Sequence, residues 1–127
     1  MSALPKPTDA ELAILRALWE LGPSTVRDVQ EKLAEERATG YTTALKLLQI
    51  MTDKGLVLRD TSERTHVYRA TRTEQHTQRQ LVGDLLERAF DGSAGQLVLQ
   101  ALATRRATRD ELDEIRRLLD RQTGSES

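Results

Sequence analysis

The sequence predicts a mainly α-helical fold with one small β-hairpin: apolar residues recur at helical spacing along most of the chain, and two short strands interrupt them once. A short amphipathic helix opens at Gly40-Tyr41-Thr42-Thr43 and stops at Lys54-Gly55. Leu56-Val57-Leu58-Arg59 follows as a strand, Asp60-Thr61-Ser62-Glu63 as a polar turn, and Arg64-Thr65-His66-Val67-Tyr68-Arg69 as a second strand. Helix, glycine stop and hairpin in this order are the recognition helix and wing of a winged helix-turn-helix.

Taken in order, the first seven residues, with Pro5 and Pro7, read as a frayed lead-in. Thr8-Asp9-Ala10-Glu11 is a capping box, in which the Thr8 hydroxyl takes the Glu11 amide while Glu11 reaches back. Leu12, Leu15 and Trp19, flanked by Ile14 and Leu18, hold helical spacing until Gly22-Pro23. Ser24-Thr25 starts a second helix with Asp28 three residues after Thr25, an inner stripe of Val26, Val29 and Leu33, and a solvated end at Glu35-Glu36-Arg37. Ala38-Thr39-Gly40 is the next turn. At about 100° per residue, Ala44, Leu45, Leu48, Met51 and Thr52 share one side of the third helix. Thr43, Lys46, Leu47, Ile50, Asp53 and Lys54 share the outward side, where a merely solvated face would not favour Leu47 and Ile50.

Thr73 opens a fourth helix with a wide apolar band of Leu81, Val82, Leu85, Leu86, Ala89 and Phe90, ended by Asp91-Gly92. Ser93-Ala94-Gly95-Gln96 is a further capping box, before a helix over 97–102 that is apolar nearly all round. Thr108-Arg109-Asp110-Glu111 is another, and Leu112, Ile115, Leu118 and Leu119 line the last helix before a tail from Thr123. Residues 1–72 are therefore expected to form a winged-helix DNA-binding domain and 73–127 a helical dimerisation region. The second region carries more apolar surface than three short helices can hide, and a helix apolar all round must be buried. A second copy is the expected cover, since two-fold dimers are the commonest closed arrangement. Leu81, Leu85, Leu86, Phe90, Leu97, Val98, Leu112, Ile115 and Leu119 are the expected contacts.

Composition narrows the function classes. With 127 residues the chain is one domain, or one small domain plus an appendage, and 38% hydrophobic against 3% aromatic residues makes the core aliphatic. The absence of cysteine removes disulfides, thiolate metal sites and cysteine nucleophiles. No apolar run approaches the ~18 residues of a membrane span and no signal peptide is visible, so the expected compartment is the cytoplasm, without membrane insertion. Net charge is −1; residues 1–72 hold 11 Lys+Arg against 10 Asp+Glu, and residues 73–127 hold 8 against 10. Any positive charge offered to nucleic acid must then be local.

The candidate contacts cluster on the third helix and the hairpin. Tyr41, Thr42 and Thr43 sit at a helix start, where free amides and the dipole favour a phosphate, or else Thr42 is an N-cap and Tyr41 a packing residue. Lys46 is placed to reach guanine acceptors or phosphate. Leu47 and Ile50 either touch thymine methyl groups or pack against the wing or the end of helix one. Lys54 serves as a phosphate contact or as a partner of the helix C-terminus, and Asp53 should tilt away from the backbone. Arg59, Arg64 and Arg69 lie on the hairpin, with Arg64 near its tip the best wing contact unless Asp60 or Glu63 pairs with it; Tyr68 reads as core. His66 and His76 do not make a metal site, so no metal or other cofactor is expected. The chain has no Gly-rich phosphate loop, nucleophile elbow or metalloprotease helix motif, and its carboxylates pair with arginines at ordinary helix-surface spacing, so no enzyme is expected.

Tyr41-Thr42-Thr43, Leu48-Gln49, Lys54-Gly55-Leu56-Val57 and His66-Val67-Tyr68-Arg69 together resemble the penicillinase-repressor family, which includes β-lactamase, methicillin-resistance and copper-responsive repressors. The resemblance extends to Thr8-Asp9-Ala10-Glu11-Leu12, Leu18-Trp19, Gly22-Pro23 and Thr25-Val26-Arg27, and in the C-terminal arm to Gln96-Leu97-Val98-Leu99, Glu111-Leu112 and Ile115-Arg116. It implies a homodimeric repressor on double-stranded operator DNA with an inverted repeat, and an upstream membrane-bound sensor protease that triggers cleavage in the dimerisation arm. The chain departs from the family pattern at Ile50, where members often carry a basic residue. It departs again at Gln100-Ala101, which matches the Asn-Phe bond cleaved in the antibiotic-resistance relatives. Copper sensing through C-terminal cysteines is excluded. The rival expectation is a winged-helix protein-interaction module without DNA binding, suggested by the near-neutral charge and the apolar Leu47 and Ile50.

Overall fold

A computed structural model describes residues 5–124. They form α1 (Asp9–Leu21), α2 (Val26–Ala34), α3 (Tyr41–Lys54), β1 (Val57–Asp60), β2 (Val67–Ala70), α4 (Glu74–Ala89), α5 (Ala94–Thr104) and α6 (Arg109–Gly124). The fold is mainly helical with one antiparallel hairpin, in which Val57 faces Ala70 and Asp60 faces Val67. Two compact units divide at Gly83/Asp84, inside α4 instead of at 72/73. The first half of α4 belongs with the N-terminal unit, where its Thr77 is buried. Met1–Leu4 of the expected lead-in and residues 125–127 of the expected tail lie outside the described residues; Pro7 is buried and not frayed, and α6 runs on to Gly124.

Local signals set the element ends. Both halves of the capping box form at Thr8/Glu11, Thr25/Asp28 and Thr108/Glu111. At Ser93 the side chain accepts the Gln96 amide at 3.1 Å, which is one half of the expected box. Gly55 ends α3 at φ +82, with its own amide on the Thr52 carbonyl and the Leu56 amide on that of Met51. This left-handed closure turns the chain out of the helix within one residue and returns Leu56 to the core.

The N-terminal unit has one aliphatic core. Ile14, Leu15 and Leu18 of α1, Val26 and Val29 of α2, Ala44, Leu48 and Met51 of α3, and Leu56, Val57 and Tyr68 of the hairpin segment meet there. Each large aliphatic side chain so buried contributes about 2 kcal/mol. A connection with no sequence signal also appears: Ser24, ahead of α2, exchanges two backbone hydrogen bonds with Tyr68 at 2.9 and 2.7 Å. It ties the entry to α2 onto the outer edge of β2. The Trp19 indole donates to the Arg72 carbonyl at 2.9 Å and holds the chain leaving the hairpin against α1.

One buried charge joins the first helix to the third. Glu11 is 2% exposed; its carboxylate accepts the Thr8 amide at 2.9 Å and the Lys54 ammonium at 2.8 Å. Burial pushes this carboxyl up, but the bonds from Lys54 and Thr8 and the Lys54 charge outweigh it and hold the group below its ordinary 4.5. A carboxyl held low in the folded state adds stability that is complete above the unfolded value and is lost as pH falls through the folded one. Glu11→Ala should therefore cost about 3 kcal/mol at pH 7, because it removes a cap and leaves Lys54 unpaired. In urea titrations, the stability gap between wild type and Glu11→Gln should narrow as pH falls below 4.5.

Candidate nucleic-acid interface

The roll of α3 decides which side chains reach solvent. Ala44, Leu48 and Met51 are fully buried, and Tyr41, Thr42, Thr43, Lys46, Gln49, Ile50 and Asp53 are exposed. On a helical wheel the residues from Gln49 through Thr42, Asp53, Lys46 and Ile50 to Thr43 span an arc of about 120° centred on Lys46. This face is rotated from the one expected from the sequence. Leu47 is half-buried and packs against the core, in a groove it shares with Ala10, Ala13, Leu33 and Thr43. The Lys54 ammonium is taken by Glu11. The reason is tertiary: α1 covers the edge of α3 that carries Leu47 and Lys54, and in exchange Thr42 and Gln49 turn outward. Of the alternatives the sequence leaves open, this structure favours packing for Leu47, and it adds an ion pair for Lys54. Gln49 is a functional candidate that the sequence-based angular reading left out.

The start of α3 is chemically open. Its N-cap is Gly40, not Thr42, and no side chain caps it. By contrast Thr8, Thr25, Thr73, Ser93 and Thr108 each give a hydroxyl to the first turn of their own helices. The first-turn amides of α3 therefore have no side-chain acceptor, beside exposed Tyr41, Thr42 and Thr43. The turn that delivers this end is itself fastened: the Gln30 amide donates to the Thr39 carbonyl at 2.9 Å and the Thr39 hydroxyl to that of Arg37 at 3.0 Å.

Next to that opening, Thr25, Val26, Arg27, Tyr41, Leu45, Arg64, Thr65, His66 and Tyr68 line a concave surface between the starts of α2 and α3 and the hairpin loop. It holds two arginines and no carboxylate. Arg64 and His66 sit in the loop before β2, not on the strand, since the second strand begins only at Val67. Neither acid expected to compete for Arg64 pairs with it. Asp60 accepts the Ser62 amide at 2.9 Å, which holds its carboxyl below the ordinary range, and Glu63 makes no ion pair among the described residues. Arg27, which the sequence reading did not nominate, joins the cationic wall because the α2 start faces the wing. Acidic groups gather elsewhere: Asp28, Glu31 and Glu35 line a surface with Leu21, and Lys32 bridges Glu20 and Glu35 at 3.2 Å each. The nearly neutral unit therefore carries segregated charge.

A helix-turn-helix core, an uncapped third helix with a polar outward face and a hairpin whose loop bears an arginine without an ion pair among the described residues define a winged helix-turn-helix protein. The sequence profile of the penicillinase repressor family matches residues 7–121, so the chain belongs to that family, whose members are transcriptional repressors and not enzymes. It is 34% identical over 120 residues to the transcriptional regulator BlaI of Mycobacterium tuberculosis, covering 94% of this chain and 86% of that protein. Among solved structures, the monomeric form of Bacillus licheniformis BlaI in complex with the blaP half-operator shares the fold over 59% of this chain and 92% of that one, with TM-score 0.51 and 23% identity. The DNA-binding domain of the repressor BlaI matches 58% of this chain and 90% of its own, with the same TM-score and identity.

The rotated face has a direct consequence for stability. Leu47→Ala should cost about 1–2 kcal/mol, whereas Ile50→Ala should stay within about 0.5 kcal/mol. Chemical denaturation of the two variants checks this, and equal losses would mean that α3 is rolled otherwise.

Proposed function

We propose that this protein is a homodimeric repressor in which each N-terminal unit reads one half of an inverted-repeat operator. The carrying observation is the outward arc of α3 with its uncapped start, set beside a concave wall that holds Arg27 and Arg64 and no acid. In this reading α3 enters the major groove, and its first-turn amides with Tyr41, Thr42 and Thr43 meet backbone phosphate. Lys46 reaches phosphate or guanine, and Ile50 offers an apolar contact to a thymine methyl. Arg64, from the wing loop, meets the backbone or the minor groove. The regulator name of the mycobacterial relative and the half-operator complex of the Bacillus protein support the same assignment.

The C-terminal unit supports the dimeric part. Neither α5 nor α6 buries a single residue, although α5 is largely apolar. Leu85, Val98, Leu112 and Leu119 are exposed to between 38% and 55%, while Leu86, Phe90, Leu97 and Ile115 are half-buried. Leu81, half-buried, lies before the division between the units. Leu99 and Leu102 add to the uncovered area. A second copy covers these faces, and the paired units then match a two-fold operator. Release follows from anything that separates the copies. For a membrane-bound sensor protease of the kind the resemblance implies, the Gln100–Ala101 bond lies within α5, which has to open locally before cleavage.

Two outcomes are expected. Binding of the full chain to its own upstream DNA should fall linearly in log affinity against log salt, and the double variant Lys46→Ala/Arg64→Ala should flatten that slope by roughly 1.8. Unchanged binding by the double variant would remove this contact scheme, and no binding at low salt would favour a protein-interaction module. In sedimentation equilibrium the wild type should be a dimer at micromolar concentration, and Leu99→Glu/Leu119→Glu should be a monomer with its N-terminal unit still folded by circular dichroism.

A further inference from the structure

Gln49 stands in the third turn of α3, exposed, at one edge of the outward arc. Among the described residues its carboxamide makes no hydrogen bond, unlike that of Gln30, which is tied to the Thr39 carbonyl. The other side chains of the arc are limited in what they distinguish. Thr42 and Thr43 carry single hydroxyls that serve any base, Lys46 only donates, Asp53 only accepts, and Ile50 does neither. Gln49 alone holds a donor and an acceptor on one planar group. The complementary pair in the major groove is the N7 acceptor and the N6 amino donor of adenine.

Position along the helix agrees with that role. At a rise of about 1.5 Å per residue, Gln49 lies roughly 10 Å beyond Thr42. With the α3 start held at phosphate, this carries Gln49 along the groove to base pairs that the first-turn residues do not reach. Its place on the arc keeps it on the solvent side, because α1 occupies the opposite edge through Leu47 and Lys54.

We propose that Gln49 is a specificity-determining residue, pairing with an adenine in each operator half-site and so requiring an A·T pair there. The proposal rests on the DNA-binding reading above. The test uses the full chain, as wild type, Gln49→Ala and Gln49→Glu, to select duplexes from a randomised library, with thermal midpoints measured alongside. Wild type should select a half-site with one A·T pair whose replacement by G·C lowers affinity about five- to 150-fold. Gln49→Ala should lose that preference while keeping the others, and Gln49→Glu should move it to cytosine, whose amino group a carboxylate accepts. Replacing the adenine by 7-deazaadenine should weaken the wild type and leave Gln49→Ala unaffected. Midpoints should not move appreciably, since the side chain is exposed.

The same selected motif at every position for Gln49→Ala and wild type would overturn the proposal while leaving the repressor reading intact. A uniform loss across all sequences would overturn it too and make Gln49 a phosphate contact. Failure of the wild type to select any duplex would sink the DNA-binding reading, and this proposal with it.

Discussion

The buried carboxylate of Glu11 is the constraint on which the geometry of the N-terminal unit depends. It closes the first turn of α1 through Thr8 and holds the last turn of α3 through Lys54, at 2.9 and 2.8 Å. A charge this deeply buried is tolerable only when its lone pairs are satisfied, so α3 has little freedom to roll about its axis. The aliphatic core supplies most of the driving force, but apolar packing is nearly non-directional. The ion pair adds direction. It sets Leu47 and Lys54 against α1 and leaves Thr42, Lys46, Gln49 and Ile50 for solvent.

Presentation of that face then follows from the connections around it. Gln30 and Thr39 fasten the turn before α3, and Gly55 fastens the exit. The backbone bridge from Ser24 to Tyr68 sets the α2 start beside the wing, which brings Arg27 and Arg64 to one concavity. A chain of net charge −1 is poorly suited to attract a polyanion from a distance. Separating Arg27 and Arg64 from the acidic surface of Asp28, Glu31 and Glu35 gives the local field that short-range binding needs. The uncapped start of α3 adds partial positive charge that no count of ionisable residues includes.

The C-terminal unit obeys a different constraint. Its helices are well capped and paired on their surfaces, with Arg88 on Asp84 at 2.9 Å and Arg117 near Glu114. Neither α5 nor α6, however, encloses a core. On the dimeric reading proposed above, its stability depends on the copy that covers the exposed leucines, and folding of the arm is linked to assembly.

The sequence by itself determined the element order, most of the helix starts and the fold class. Those depend on local signals: Thr8, Thr25 and Thr108 with their N3 acids, Gly55 with its left-handed backbone, and helical apolar spacing. It also made Tyr68 a core residue and marked the α5–α6 faces as uncovered. Only the tertiary structure decided the roll of α3. The wheel shows which residues share a face, whereas the edge of that face covered by α1 depends on a pair 43 residues apart, Glu11 and Lys54. For the same reason Gln49 and Arg27 came into view only in three dimensions, as did the packing of Leu47 and the ion pair of Lys54. The Ser24 bridge was illegible because one residue of pairing leaves no periodicity to read.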